Sequence, residues 1–495
     1  MERIFRCGYE CADINSAAGA AGRDTTAGKS GNGGSCFRES AEKITARKGR
    51  ECGSFMEEYM RRLLEQIRCR QAREMVAEEI RNHIADQVQT NEQAGMEKGQ
   101  ALEAAVRDMG DPVETGLALN RIHSPRTDWR LLVLVGMISV LSVFVHMSVG
   151  SRAEALGEGY GLQHGVRIFL GYGIMLAVYH LDYEYIGKYA KRIAAFCCVA
   201  VIAASAMGIG VNGAGSWISL SILGRVSVSD LLYLYIPVYG ALLYRHRGEG
   251  YRGAGKCVLW MCFPVLTLRI NCLSGTVLLF LVLMAMFSAA VAKGWFAVSK
   301  RITLTVFWSV FGLFPLLGAA LAVWGNYLAT YQAERLKAFL GQESTYLDYA
   351  RRMIMEYSKS IRLFGSSGRE IMDLPGINNN YLLNFVANYY GMAAMLFIGL
   401  LLLAVAARLI HVSFGQGHPL GMMMGCGCGL FFEMVTVIDI LHFFGWIPSM
   451  RLFLPFFSPE GGAVFVSYVL AGIVLSVYRY QNMKNTCAAG AFLVK

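Results

Sequence analysis

Charge is scarce in this chain: Asp, Glu, Lys and Arg make up 17% of its 495 residues, against 55% hydrophobic. Soluble globular domains carry roughly a quarter charged residues, so the balance argues against a water-soluble enzyme. Signposts of chemistry are missing as well. No stretch reads Gly-x-x-x-x-Gly-Lys-Ser/Thr, the pattern a phosphate-binding loop requires, so nothing points to an ATPase. The 13 cysteines form no Cys-x-x-Cys pair, and Cys197, Cys198, Cys426 and Cys428 sit inside apolar runs, where they read as small packing residues. The nine histidines are scattered singly, so neither a metal site nor a cofactor is expected. Residues 1–54 lack the compact apolar region of a signal peptide and carry no hydrophobic stripe. Their Gly, Ala and Ser content predicts disorder, and the better patterned segment that opens at Met56 raises that methionine as the start of translation.

What is abundant is long apolar runs. A membrane span needs about 20 such residues, and ten candidates follow Arg130: Leu131–Val149, Val166–Leu181, Ile193–Ile209, Val228–Tyr244, Cys257–Ile270, Leu273–Ala292, Leu304–Trp324, Leu382–Ala407, Leu420–Leu441 and Ala463–Val477. Only a helix satisfies its own backbone in lipid, so the predicted fold class is all-α and polytopic, with about ten transmembrane helices over 130–480. Lys188, Lys191 and Arg192, then Arg245, Arg247, Arg252 and Lys256, then Lys293, Lys300 and Arg301, then Arg408 and His411, and last Arg479 and Lys484 all fall on one side of that bundle. Basic loops stay cytoplasmic. Both termini, including the tail 481–495, are therefore expected inside a bacterial cytoplasmic membrane, and the polar segment 326–380 outside it. The net charge of +10 is accounted for by these edges, with no nucleic-acid partner.

Ahead of the spans, Met60, Leu63, Leu64, Ile67, Met75, Ile80 and Ile84 recur at helical spacing. A second helix is predicted over Met96–Met109, stopped by Gly110, and Asp111-Pro112-Val113-Glu114 then supplies a third helix start. The spacing predicts a cytosolic helical module over 55–124. Its Gly95–Pro112 stretch resembles the helical prefix that precedes the membrane part of some bacterial permeases.

Three ordered blocks carry a sharper resemblance. NGAGSWISL (Asn212–Leu220) with VSVSDLLYL (Val226–Leu234), DLPGINNNYLLNFVANYYG (Asp373–Gly391) and WIPSMRLFLPFFSPEGG (Trp446–Gly462) are similar to the corresponding stretches of the FtsW/RodA/SpoVE family. LDYEYIGKYAKR at Leu181–Arg192 is similar to its second cytoplasmic turn. The resemblance implies a glycosyltransferase that polymerises lipid II, an undecaprenyl-diphosphate-linked disaccharide peptide, into peptidoglycan during division, shape maintenance or sporulation. It also implies a class B transpeptidase, or other cell-wall machinery, as partner.

The family's essential group is an Asp in the large outer loop. Matching forward from Arg335 brings Glu343 near its place, while Asp348 abuts Tyr349, so both are candidates for the general base. Arg335, Asn212, Trp217, Asp230, Asn378, Asn380 and Ser458 are the substrate-binding candidates that the same alignment implies. Asn378 and Asn380 stand where the family has ionisable residues; an amide can bind a sugar or phosphate but takes up no proton at neutral pH. Arg351, Arg352, Lys359, Arg362 and Arg369 suit either a diphosphate cradle or an amphipathic surface helix. Asp439, inside the ninth run, is expected to face the bundle interior. Two further readings stand beside the polymerase: a non-catalytic scaffold or regulator of cell-wall synthesis, and a transporter of lipid-linked precursor.

Overall fold

The computed structural model describes residues 55–152, 159–207, 209–211, 214–220, 224–269, 273–313, 316–317, 356–368, 381–447 and 452–481. The chain divides into two compact units, Met1–Arg121 and Ile122–Lys495.

In the first unit, α1 (55–65) is followed by α2 (Arg70–Gln93), α3 (Lys98–Asp108) and α4 (Pro112–His123). The apolar stripe supplies its core: Met60, Leu63, Ile67, Ile80 and Ile84 are buried together with Val76, Ala101, Ala105 and Val106. Leu64 and Met75 of the same stripe are half-buried. Asp111 Oδ2 accepts from the backbone N–H groups of Val113 (3.1 Å) and Glu114 (2.9 Å), which satisfies two orphan donors of α4.

The second unit is a helical bundle. Its elements are α5 (Trp129–Gly150), α6 (Tyr160–His180), α7 (Glu184–Met207), a sheet of β1 (Ile209–Val211), β2 (Ala214–Leu220) and β3 (Gly224–Ser227), the single turn α8 (Val228–Leu231), α9 (Tyr235–Arg245), α10 (Gly250–Arg269), α11 (Leu273–Ala292), α12 (Lys300–Trp308), α13 (Leu382–Tyr390), α14 (Met392–Phe414), α15 (Pro419–Phe443) and α16 (Gly461–Arg479). Five helices are long and apolar enough to cross a membrane by length and composition: Trp129–Gly150, Ser274–Ala292, Met392–Phe414, Pro419–Phe443 and Gly461–Arg479.

Among the described residues helical segments fall in all ten predicted runs, the seventh being described only to 313 and at 316–317, and three details differ from the sequence expectation. The small antiparallel sheet is an addition: β2 pairs β1 through Ile209 with Trp217, and pairs β3 through Trp217 with Ser227 and Ile218 with Val226. The fourth run is not one continuous helix, because α8 passes through a 3-10 turn at Leu232–Leu234 before α9 begins. The eighth run breaks at Gly391, so the spanning helix starts at Met392 and α13 stands apart.

Small residues set the helix spacing, as expected where lipid leaves van der Waals contact as the main driving force. α15 packs against α9, α11, α14 and α16. A Cβ built on Gly429 would lie 2.5 Å from Ile410 Cγ1 and 3.0 Å from Ile410 N of α14. One on Gly427 would meet Met286 Sδ and Cε at 2.6 Å, and one on Gly240 of α9 would meet Met424 N at 3.0 Å. Gly429→Val is therefore expected to destabilise the detergent-solubilised protein by about 1–3 kcal/mol, the usual cost of overpacking, read as a lower thermal midpoint.

At one end of the bundle Asp128 caps α5, its Oδ1 accepting from Leu131 N at 3.2 Å, while Oδ2 accepts from Arg408 Nε of α14 at 2.9 Å. Thr127 and Tyr179 hydroxyls meet at 2.6 Å there, and Arg126 N donates to Arg479 O at 3.3 Å. The sequence placed Arg408 in a loop after the eighth run; it lies within α14 and turns onto Asp128.

Candidate functional site

The opposite end gathers α5 at its C-terminus, α6 at its N-terminus, the sheet with α8, the segment 356–368, α13, and the segment 452–460 that leads into α16. Two of the sequence blocks touch directly there. α16 packs on β3 and α8. A Cβ on Gly462 would lie 3.1 Å from Ser227 O and 3.0 Å from Val226 Cγ1, so any larger residue would have to push helix and strand apart by a few tenths of an ångström.

The third block is tied to the segment before it. Met392 N donates to Arg362 O (2.9 Å), Ala393 N to Leu363 O (3.0 Å), Gly365 N to Tyr390 O (3.2 Å) and Ser367 N to Asn388 O (2.8 Å). Ser367 Oγ also donates to Asn388 Oδ1 at 2.5 Å. Gly391 sits at the crossing with φ of 98°, and a Cβ on it would lie 2.7 Å from Leu363 O. Both the backbone angle and the space demand glycine. Gly391→Ala is expected to loosen 362–368 from 388–393, seen as faster protease cleavage within 362–368 while the bundle stays intact. Tyr390 then reaches α5, its hydroxyl donating to Ser148 Oγ at 2.5 Å, and Arg152 stacks 4.9 Å over the Tyr389 ring.

The densest polar chemistry lies where 456–459 meets α5 and α6. Ser142 Oγ donates to Phe456 O at 2.8 Å, His146 Nε2 donates to Phe457 O at 2.6 Å, and Arg167 Nη1 donates to Pro459 O at 2.7 Å. Donor counting fixes the imidazoles. Because the Ser142 hydrogen is spent on Phe456 O, its oxygen accepts from His164 Nε2 at 2.8 Å. His146 uses its Nε2 hydrogen on Phe457 O, so its Nδ1 accepts from Tyr160 OH at 2.8 Å. The two rings lie 3.9 Å apart, and both residues are fully buried. Phe456 adopts φ of 64° although it is not glycine, and its ring is stacked on Phe432 at 5.4 Å and edge-on to Tyr468 at 5.1 Å.

Of the residues the sequence proposed for binding, three lie in described elements at this end. Trp217 is in the central strand β2, paired on both sides. Asp230 is half-buried in α8. Ser458 is buried and its Oγ accepts from Glu460 N at 3.2 Å, bracing the turn into α16. Asn212, Arg335, Glu343, Asp348, Asn378 and Asn380 lie outside the described residues. Asp439 lies in the last turns of α15 at this same end. Sequence reasoning missed Ser142, His146, His164 and Arg167. Their signal was present: ionisable residues inside or beside apolar runs are functional suspects by default, but starting the second span at Val166 left His164 in a loop and Arg167 at a helix end.

Helices in each of the ten apolar runs among the described residues, five of them long and apolar enough to cross a membrane, with extended segments and polar side chains collected at one end, define a polytopic helical membrane protein. Residues 124–483 match the cell cycle protein family FtsW/RodA/SpoVE, and the chain belongs to that family. It is 22% identical over 360 residues to the protein named "Probable peptidoglycan glycosyltransferase FtsW" of Hydrogenovibrio crunogenus, spanning 70% of this chain and 90% of that one. It is 23% identical over 420 residues to the protein of the same name from Aromatoleum aromaticum, spanning 78% of this chain and 97% of the other. A solved chain from a peptidoglycan synthase complex that coordinates polymerization and crosslinking superposes with a TM-score of 0.58 at 21% identity, covering 72% of this chain and 99% of that chain. That likeness speaks to the fold.

Proposed function

We propose that this protein is a peptidoglycan glycosyltransferase of the FtsW/RodA/SpoVE type, polymerising lipid II at the outer face of a bacterial cytoplasmic membrane. The observation that carries the reading is the match to proteins named peptidoglycan glycosyltransferase over nine-tenths or more of their length, as in the two relatives above. Orientation rests on the basic loops. With both termini cytoplasmic, the end that gathers α13, the sheet and 452–460 faces outward, where 326–380 also emerges.

In the reaction a sugar hydroxyl of one lipid-linked chain attacks the anomeric carbon of another. The glycosyl bond to the diphosphate breaks and the diphosphate leaves with the electron pair. A base takes the hydroxyl proton. Glu343 or Asp348 is assigned that role. Arg335 and the amides Asn212, Asn378 and Asn380 are assigned to the phosphates and sugars, together with Trp217, Asp230 and Ser458 of the family-like blocks. A class B transpeptidase is the expected partner.

The test is polymerisation of labelled lipid II by the purified protein, alone and with a cognate transpeptidase. Glycan strands from the wild type are the expected result. No product, beside a working control polymerase, would favour the scaffold reading, which the amides Asn378 and Asn380 at ionisable family positions already suggest.

A further inference from the structure

The three donors that hold 456–459 come from two helices and reach three carbonyls within four residues, at Phe456, Phe457 and Pro459. Simple packing of α5, α6 and α16 does not call for them. α16 already meets α6 through Gly171, where a Cβ would lie 2.3 Å from Tyr468 Cδ2, and through Gly472, where one would lie 2.8 Å from Met175 O. Burying a guanidinium and two imidazoles in a bundle is costly, and apolar residues of similar volume would hold helices together at least as well. What such residues could not do is hold a turn whose carbonyls point inward and whose Phe456 sits in the left-handed region. A conformation of that kind persists only where its surroundings over-determine it.

We propose that Arg167, with His146 and Ser142, positions the 456–459 turn for the glycosyl transfer proposed above. The three act through the turn and not on the substrate. Arg167 is the most exposed of them, at 9% against 0% for Ser142 and His146. Its Nη2 lies 3.5 Å from Gln163 Oε1, and its short bond is the one to Pro459 O. From Pro459 the chain runs directly through Glu460 into Gly461 and Gly462, the point that rests on β3. Loss of the Arg167 bond therefore shifts the seam between two of the three family blocks, while the apolar contacts of α6 with α16 remain.

This inference rests on the polymerase reading, so its test has two arms. The first compares Arg167→Ala, Arg167→Lys and Ser142→Ala with the wild type in lipid II polymerisation. Arg167→Ala is expected to lose at least ten-fold in kcat with KM changed less than two-fold, and Arg167→Lys, which keeps a cationic donor, to recover most of the loss. The second arm reads hydrogen exchange of the unliganded proteins. Exchange at the amides of 456–460 is expected to rise in Arg167→Ala and not elsewhere in α5, α6 or α16. Wild-type kcat in Arg167→Ala, or equal loss in the Ala and Lys variants with exchange raised through all three helices, would overturn the positioning role. A wild type that makes no polymer sinks the polymerase reading and the catalytic role with it, while the exchange arm still decides whether Arg167 holds the turn.

Discussion

Replacing the loop base is expected to remove polymerisation almost completely: Glu343→Gln or Asp348→Asn, whichever residue carries the proton, should cut the rate by about 10²–10⁴-fold, the usual worth of general base catalysis. The amide variants keep size and hydrogen-bonding reach and lose only basicity, so binding of lipid II should persist in both. The other substitution should leave the rate within about two-fold of wild type. A pH–rate profile separates the cases further, because the acidic limb of kcat belongs to the base and should vanish with it. If neither variant changes the rate of an active wild type, the base lies elsewhere, and Asp439, in the last turns of α15 at the same end of the bundle, is the next residue to test.

The second large effect is on stability. Asp128→Ala leaves Arg408, 21% exposed, without the carboxylate that meets it at 2.9 Å, and removes the side-chain cap of α5. Because Arg408 keeps some access to solvent, losing its partner costs less than the roughly 3–5 kcal/mol of a fully buried pair and more than the roughly 1 kcal/mol of an exposed one, and loss of the cap adds roughly 1 kcal/mol. The thermal midpoint of Asp128→Ala in detergent should fall at least as far as that of Gly429→Val. Asp128→Ala, Arg408→Ala and the double variant close a cycle whose coupling is expected near 2 kcal/mol, within the range for contacting residues. Additive single effects would mean that the pair contributes only through the cap.

Hydrophobic runs made the bundle legible, because lipid admits one solution for a spanning backbone and a run of the right length reports it. The two interrupted helices were not legible for a related reason. Leu382–Ala407 is apolar on both sides of Gly391, and what crosses the end of α13 is the carbonyl of Leu363, 28 residues earlier in the part of the loop that returns to the bundle. Periodicity is local and cannot register such a contact. The three-stranded sheet within 209–227 was hidden similarly, since its short strands continue the apolar character of α7 and take their pairing from each other. At the site, the blocks around Trp217, Asp230 and Ser458 drew attention through resemblance. His146 and Arg167 did not, because their partners are backbone carbonyls, and a carbonyl leaves no mark in a sequence.

The glycines of α15 constrain which parts of this molecule can move. Gly421 faces Val477 and Tyr183, Gly425 faces Ser413, Gly427 faces Met286 and Ile236, and Gly429 faces Ile410, so successive turns of one helix are fitted to four different neighbours. Rotating α15 by a single residue would drive a leucine, methionine or cysteine into a slot cut for a hydrogen atom, and close-packed interiors do not yield to that gradually. α15 is thus an axle fixed in its bearings. Any opening that admits a long prenyl chain, or lets a growing glycan advance by one unit, has to be made by helices and loops that swing about it.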